Sequence, residues 1–140
     1  MANNYRLFSC EIDALTEEEL AWCRRELARR ELDEGASGGA DFEWTVEVDD
    51  DGVRSLWMRS EENGSANDVA TFVQAFLKAF RPQTCWWMSW ADTCSKPRVG
   101  EFCGGAVFVT AETIEHIDAC TWAAGKVAAF QASKPRSEEG

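Results

Sequence analysis

The alternation of apolar and polar residues predicts two paired strands in the middle of the chain. In the segment 84–110, Trp86, Met88 and Trp90 recur at every second position, and alternate residues of a strand share one face of a sheet. A second apolar run, 102–109, alternates in the same way and is rich in the β-branched and aromatic residues that suit a strand. A polar stretch containing Lys-Pro-Arg separates the two runs. We therefore predict two strands joined by a long loop.

Trp87 falls on the opposite face of the first of these strands. A tryptophan there is covered by a second layer, lies at a sheet edge, or is exposed, and exposure would be typical of a binding surface. Because large aromatic rings are mostly buried, we expect Trp87 to have a structural role.

A further hairpin is predicted over 41–60. Apolar residues alternate with polar ones along its first half, so that one face would be buried; they are Phe42, Trp44, Val46 and Val48. Asp50-Asp51-Gly52 supplies the turn, with glycine free to adopt positive φ. A three-residue loop would place Leu56 and Met58 beside Val46 and Trp44, whereas a slip of one residue would exchange Leu56 and Trp57 between faces.

Three helices are expected. Thr16 and Glu19 form a capping box for the first, which continues to about Leu32 and buries a stripe made of Leu20, Cys23 and Leu27. The second has the broadest apolar stripe in the chain, is capped by Asn67 or Asp68 and is ended by Pro82. Its stripe consists of Val69, Phe72, Val73, Phe76, Leu77 and Phe80.

The third helix would be capped by Thr110 or Thr113. Ile114, Ile117 and Ala124 follow at helical spacing, and the helix either breaks at Gly125 or continues to Phe130.

With a first strand over 5–12, the elements follow the order βαββαββα. Strands that follow one another in the chain favour an antiparallel sheet, here of four to five strands. With the helices packed mainly on one face of this sheet, the predicted fold class is α+β. We predict a single domain over 1–130, a flexible internal link at 35–40 (GASGGA), and a disordered tail at 131–140.

The charge balance excludes one class of partner. The formal net charge is −11, from 14 basic and 25 acidic residues, and direct nucleic-acid binding requires a basic surface. A basic partner protein fits better. No apolar run approaches the roughly 18 residues that span a membrane, and the N-terminus lacks the pattern of a signal peptide. We expect a cytoplasmic protein that does not bind membranes.

The six cysteines contain no Cys-x-x-Cys spacing, so free thiols are expected in a reducing cytosol. His116 and Cys120 are four residues apart on the third predicted helix and could share one ion. Such a pair is more often ordinary packing, and we predict neither metal nor cofactor.

No nucleophile–base pair, phosphate-binding glycine loop or zinc-binding motif is present, so we do not expect an enzyme. The loop after the central tryptophans is the best candidate site, because it concentrates basic residues in an acidic chain. It would bind an anion through Cys94, Ser95, Lys96, Arg98, Glu101, Gly104 and Gly105. Lys96 could also activate the Cys94 thiol. The favoured alternative is that Lys96 and Arg98 pair with Glu101, Asp92 or hairpin carboxylates and merely hold the loop.

Residues 90–106, WADTCSKPRVGEFCGGA, resemble a motif of small uncharacterised proteins carried by bacteriophages, prophages and plasmids. The resemblance runs from about Asp41 through the third helix and includes FVQAFLKAFRP (72–82), but not the first 40 residues. Cys103 stands where that group has glycine, so a tight-turn role does not carry over to this position. The resemblance implies a mobile-element setting in the bacterial cytoplasm and no particular activity.

Together these features favour a small acidic protein that acts by protein–protein interaction, in the manner of an inhibitor of a host nucleic-acid-binding or defence protein. Its candidate contact residues are Glu17, Glu18, Asp49, Asp50, Asp51, Glu61 and Glu62. The alternatives are binding of an anionic ligand, or catalysis, at the 92–105 loop, and a structural role in a phage particle. The oligomeric state does not follow from the pattern.

Overall fold

The computed structural model describes residues 3–32 and 40–134. They form an α+β fold with one antiparallel sheet in the order β2-β3-β1-β4-β5-β6. The described elements, in chain order, are β1 (Asn4–Leu15), α1 (Glu17–Leu32), β2 (Glu43–Val48), β3 (Arg54–Ser60), α2 (Ala66–Phe80), β4 (Cys85–Cys94), β5 (Cys103–Thr110), β6 (Ile114–Asp118) and α3 (Ala119–Ala132). The fold class is as predicted, but the described sheet has six strands rather than four to five. Among the described residues, no helix combines the length and apolar character that crossing a membrane requires.

Strand β1 lies at the centre of the sheet and joins its two halves. It pairs with β3 on one side and with β4 on the other, both antiparallel. Phe8 and Ile12 are buried, and Cys10 lies between them on the same face. The register shifts between Ile12 and Leu15, where Ala14 has a φ of 53°. This irregularity ends the strand and leads into α1.

Helix α1 begins with the predicted capping box. The Glu19 backbone N–H donates to Thr16 Oγ1 at 3.1 Å, and the Thr16 N–H donates to Glu19 Oε1 at 2.9 Å. Leu20, Cys23 and Leu27 are buried as expected, and the helix ends at Leu32. The predicted flexible link lies outside the described residues, except for Ala40.

The β2–β3 hairpin has the predicted register. Val46 is opposite Leu56, and Trp44 is opposite Met58. The Asp49 N–H donates to Val53 O, which leaves a three-residue loop, and Gly52 has a φ of 83°. Val48 was expected on the buried face, but it is 63% exposed, because β2 is an edge strand and an open hollow separates its end from α1.

Helix α2 supplies the largest fully buried side chains among the described residues, and its predicted stripe is confirmed. Phe72 and Phe76 are fully buried, and Trp22 of α1 stacks on Phe72 with ring centroids 5.8 Å apart. Burying each such side chain stabilises the fold by about 1.5–3 kcal/mol. The predicted caps Asn67 and Asp68 are wrong. Ser65 is the N-cap and accepts from the Asp68 N–H, because the helix begins at Ala66, two residues before the start that an Asn67 cap requires and three before that of an Asp68 cap.

Strands β4 and β5 alternate as predicted, with Met88, Trp90, Val107 and Val109 buried on the face that α1 and α2 cover. The expectation for Trp87 is wrong, because its side chain is 67% exposed on the other face of the sheet. None of the described helices packs over it.

The start of the predicted third helix is also wrong. Ile114 to Asp118 form strand β6, which pairs with the free edge of β5. Thr110 and Thr113 do not cap a helix but close the turn between the two strands, where the Thr110 N–H donates to Thr113 O at 2.9 Å. Isoleucines three residues apart share one face of a helix but lie on opposite faces of a strand, and Ile117 is accordingly exposed. Pairing with the open edge of β5 outweighed the helical spacing.

Helix α3 starts after its actual N-cap, Asp118. It continues through Gly125 to Ala132, two residues into the segment predicted to be a disordered tail. The last part of that segment, 135–140, lies outside the described residues. The helix contacts β5 and β6 but has no buried residue.

Candidate functional site

Of the segment 92–105, residues 95–102 form the loop between β4 and β5, and this loop is fastened to the start of β1. Ser95 and Asn3 form two hydrogen bonds, since the Ser95 N–H donates to Asn3 O and the Asn3 N–H donates to Ser95 Oγ, each at 2.8 Å. A short turn follows, in which the Arg98 N–H donates to Lys96 O at 2.8 Å. Ser95 therefore anchors the loop.

The two cations of the loop are not held by internal ion pairs. Within the described part of the chain, the exposed side chains of Lys96 and Arg98 make no hydrogen bond or ion pair. The nearest candidate carboxylates have other partners, because Asp92 binds Arg6 and Glu101 accepts from Asn4 Nδ2 at 3.4 Å. The favoured alternative, that these cations pin the loop, is therefore wrong for the described residues.

Cys94 does not have the surroundings of an activated thiol. It is buried, and its Sγ lies 3.5 Å from Glu101 Oε2. No contact with Lys96 is present among the described residues. The idea that Lys96 activates this thiol has no geometric support.

Gly104 and Gly105 lie within β5 and are required by packing. A Cβ at Gly104 would lie 2.8 Å from the carbonyl oxygen of Trp90. A Cβ at Gly105 would overlap the Trp90 ring and the carbonyl oxygen of Ile117. The glycine pair thus lets β4, β5 and β6 approach closely, and its backbone takes part in strand pairing.

A hollow of about 460 Å³ opens beside this loop. Its walls combine the end of β1, the β4–β5 loop and the segment after β3, and include Asn4, Tyr5, Arg6, Asn63, Asp92 and Glu101. Lys96 and Arg98 are not among its lining residues, but Gly100 and Glu101 of the same loop are. A small ligand in the hollow would therefore meet this loop at Gly100 and Glu101.

Arg6 and Asp92 form the floor of this hollow, and sequence reasoning missed Arg6. Arg6 Nε and Nη2 donate to the two Asp92 carboxylate oxygens at 2.7 and 3.1 Å. The guanidinium lies 5.1 Å from the Trp90 ring centroid, and the Trp90 indole donates to Asp92 Oδ2 at 3.3 Å. The hydrogen bond to Asp92 raises the pKa of Arg6. The sequence does indicate such a pair, because an arginine in a largely apolar strand needs an acidic or hydrogen-bonding partner when it is partly buried.

The cysteines are not all free. Cys103 and Cys120 form a disulfide, which joins β5 to the first turn of α3. Asp118 caps that helix, and the Thr121 N–H, which donates to its carboxylate, lowers the pKa of Asp118. Ligand atoms of Cys103, Asp118 and Cys120 lie within 4.8 Å of one another, but the two sulfurs are used in the disulfide. His116 lies on β6 and Cys120 on α3, so the helical spacing on which a shared ion would depend does not occur.

The predicted acidic contact residues divide between two ends of the sheet. Leu15 pairs with Arg54, which brings the start of α1 beside the hairpin turn. Glu17, Glu18 and Asp49–Asp51 therefore share one end, and Arg54 Nη2 lies 3.8 Å from Glu17 Oε1. Glu61 and Glu62 follow the opposite end of β3, about 20 Å away at roughly 3.3 Å per residue, next to the Arg6 hollow.

No protein-family model matches the chain, and no curated protein sequence matches it. Among solved structures, it is similar to the apo form of LarC2, described as the C-terminal domain of a cyclometallase involved in the synthesis of the NPN cofactor of lactate racemase. The identity is 12%, the TM-score is 0.34, and the match covers 91% of this chain and 89% of that chain. A likeness this weak carries no conclusion about function.

Proposed function

We propose that the protein acts by binding a basic surface of another protein through the acidic end formed by Glu17, Glu18 and Asp49–Asp51. The observation that carries this proposal is the concentration of five exposed carboxylates at one end of the sheet. Two arginines also lie there: Arg54 Nη2 is 3.8 Å from Glu17 Oε1, and Arg24 lines a hollow with both residues. In the described residues, the carboxylates of Glu18, Asp50 and Asp51 have no hydrogen bond or ion pair. They are free to pair with a partner's lysines and arginines.

The charge of the whole chain supports the same proposal. A net charge of −11 speeds association with a basic partner and repels nucleic acid. A host nucleic-acid-binding or defence protein in the bacterial cytoplasm has the required basic surface, and occupying that surface would inhibit it. The resemblance of residues 90–106 to proteins of phages and plasmids fits such a role.

Charge removal at the acidic end tests the proposal. The variant Asp50→Asn with Asp51→Asn keeps Asp49, whose carboxylate accepts from the Asp51 and Val53 N–H groups and shapes the turn. Used as bait in a pull-down from bacterial lysate at low and high salt, it should capture less of a basic protein that the wild type retains at low salt. High salt should release that protein from the wild type, because exposed charges are screened.

The matched control is Glu61→Gln with Glu62→Gln, which removes the same charge at the opposite end of the sheet. It should capture the partner as the wild type does. Equal loss in both variants would show that only net charge matters, and capture indifferent to salt and to both changes would refute the proposal.

A second candidate, binding of a small anion, is favoured by the unpaired Lys96 and Arg98, which belong to the same loop as Gly100 and Glu101 in the lining of the hollow of about 460 Å³. A planar guanidinium and an ammonium would both donate to a phosphate or carboxylate. Thermal-shift measurements with nucleotides and phosphorylated metabolites should then give a stabilising ligand, and the shift should vanish in Lys96→Ala with Arg98→Ala. Lys78→Ala, on α2, is the control for loss of a cation elsewhere. A shift that survives the double change would eliminate this site.

The third candidate, a structural role in a phage particle, requires association of copies. The feature that supports it is α3, an apolar helix without a buried residue.

A further inference from the structure

Helix α3 exposes apolar side chains on every side. Trp122, Val127 and Phe130 are 58%, 55% and 60% exposed, and they lie on one side of the helix, with alanines and Gly125 on the other. A helix that is apolar all round is normally buried. In this structure, α3 is attached at its first turn by the Cys103–Cys120 disulfide and has no buried residue. Its apolar composition is therefore typical of a buried helix, but within this chain no side chain of α3 is buried.

A second uncovered surface lies on the sheet. We call the side of the sheet that faces away from α1 and α2 the open face. It presents three aromatic side chains, Trp57, Trp87 and Phe108, which are 36%, 67% and 40% exposed. Trp87 and Phe108 are directly opposite each other on β4 and β5, and Trp57 lies on β3. The row thus crosses from β3 to β5 over four adjacent strands, about 15 Å at ~4.8 Å per strand. A fourteen-residue helix is about 21 Å long, so it can cover the whole aromatic row, including the width of the outermost side chains.

The two surfaces are complementary in charge. The segment 119–134 contains Lys126 and Lys134 and no acidic residue. The open face carries exposed carboxylates beside its aromatic row, namely Glu11, Glu43, Glu47 and Glu115. Among its described strand residues the cation is Arg59, whose Cζ lies 4.0 Å from the Trp57 ring centroid and whose Nε lies 3.9 Å from Glu43 Oε1. In a chain of net charge −11, two copies repel each other in general, but a lysine-bearing helix and this acidic face attract.

We infer that α3 of one chain docks on the open face of a second copy, and that the second copy returns the same contact. A single docked helix would bury roughly 350 Å² on each side, half the surface of a cylinder of that length and of roughly 10 Å diameter. That is less than a stable interface buries. Two reciprocal contacts bury about 1,400 Å² in total, within the range of about 1,200–2,000 Å² for stable complexes. A second copy of this chain supplies the second contact, because in a two-fold dimer each copy presents both its helix α3 and its open face to the other.

Light scattering or sedimentation of the full chain over a concentration series tests this inference. The wild type should have twice the mass of one chain. Trp122→Glu, on the helix, and Trp87→Glu, on the open face, should each be monomeric. Leu32→Glu is the matched control and should remain dimeric, because Leu32 is 87% exposed at the end of α1, away from both surfaces. Since all three residues are exposed, far-ultraviolet circular dichroism should show each variant folded.

Mixing the two monomeric variants identifies the contact. The Trp87→Glu chain retains an intact helix, and the Trp122→Glu chain retains an intact open face, so an equimolar mixture recovers one of the two contacts. Because one contact buries less than a stable interface does, the mixture should associate only at concentrations well above those at which the wild type is dimeric, and more than either variant alone. A dimeric Trp87→Glu variant would show helix-to-helix pairing, and a dimeric Trp122→Glu variant would show pairing of open faces. Either of these two outcomes overturns the inference.

This inference is independent of the acidic end. A wild type that is monomeric at every concentration refutes the dimer but leaves the pull-down result unaffected. Conversely, failure to capture a basic partner leaves the dimer intact.

Discussion

Gly105 shows how one missing side chain brings three strands together. A Cβ added here would overlap both the ring of Trp90 and the carbonyl oxygen of Ile117. Gly125, in α3, has nothing within 4 Å of the position of an added Cβ. The same substitution should therefore have opposite consequences at the two positions.

Gly105→Ala should lower the free energy of unfolding by about 1–3 kcal/mol, the usual cost of overpacking. Gly125→Ala should cause no loss, and the better helix propensity of alanine should raise the helicity of α3. Chemical denaturation of both variants, followed by circular dichroism, makes the comparison. Equal stability of Gly105→Ala and wild type would contradict the packing role given to this glycine.

Glu19 connects two helices, and sequence reasoning found only half of its role. The capping box with Thr16 was predicted, but Arg81, just after α2, also donates to both carboxylate oxygens of Glu19 at 3.1 Å. Burial alone raises the pKa of Glu19, yet the hydrogen bonds from Arg81 and Thr16 outweigh it and lower the pKa. The ionised carboxylate therefore stabilises the fold, and this contribution depends on pH.

Glu19→Gln should lower the free energy of unfolding by about 1–3 kcal/mol at neutral pH, because glutamine retains the cap but loses the charge opposite Arg81. For the wild type, this contribution is complete above the pKa of an unfolded glutamate, about 4.3, and is lost as the pH falls through the lower folded pKa. The variant should lack that acid-dependent loss. Denaturation curves between pH 2 and pH 7 should show the two stabilities converging in acid.

Glu18→Gln is the control for this experiment, since Glu18 is an exposed neighbour in the same turn. It should change the stability by less than about 0.5 kcal/mol. A pH dependence of Glu19→Gln identical to that of the wild type would show that the Arg81 pair contributes nothing.

The six cysteines are spread through the fold and differ in how accessible they are to reagents. Cys85 is exposed, Cys23 and Cys94 are buried, and Cys10 is half-buried. Burial raises the pKa values of Cys10 and Cys23 to about 12, so both thiols remain protonated and unreactive near neutral pH.

Labelling with a thiol reagent at pH 7.5 should therefore modify Cys85 first in the native protein. After denaturation without reductant, four cysteines should react, since Cys103 and Cys120 are joined, and after reduction all six should react. Mass spectrometry of the labelled peptides identifies each one. Six labels without reductant would contradict the disulfide, and rapid native labelling of Cys23 would contradict the core.

The local sequence pattern was sufficient to predict most helices and strands, because these elements depend on residues that are close together in the chain. The capping box at Thr16, the phenylalanine stripe of α2 and the register of the β2–β3 hairpin all involve residues within a few turns or one short loop. The candidate site was less predictable. The loop with Lys96 and Arg98 was identified by its composition, but the hollow beside it is formed by Arg6 and Asn63, which are distant in sequence.

The chain by itself determined the α+β class, the strand alternation and the excess of negative charge, since these follow from side-chain order and composition. Only the tertiary structure decided that residues 114–118 join the edge of β5, that Cys103 meets Cys120, and that α3 and Trp87 remain uncovered. Those outcomes depend on which segments lie beside each other. Spacing along the chain specifies what each segment can bury, whereas the assembled sheet determines which edges and faces are already occupied.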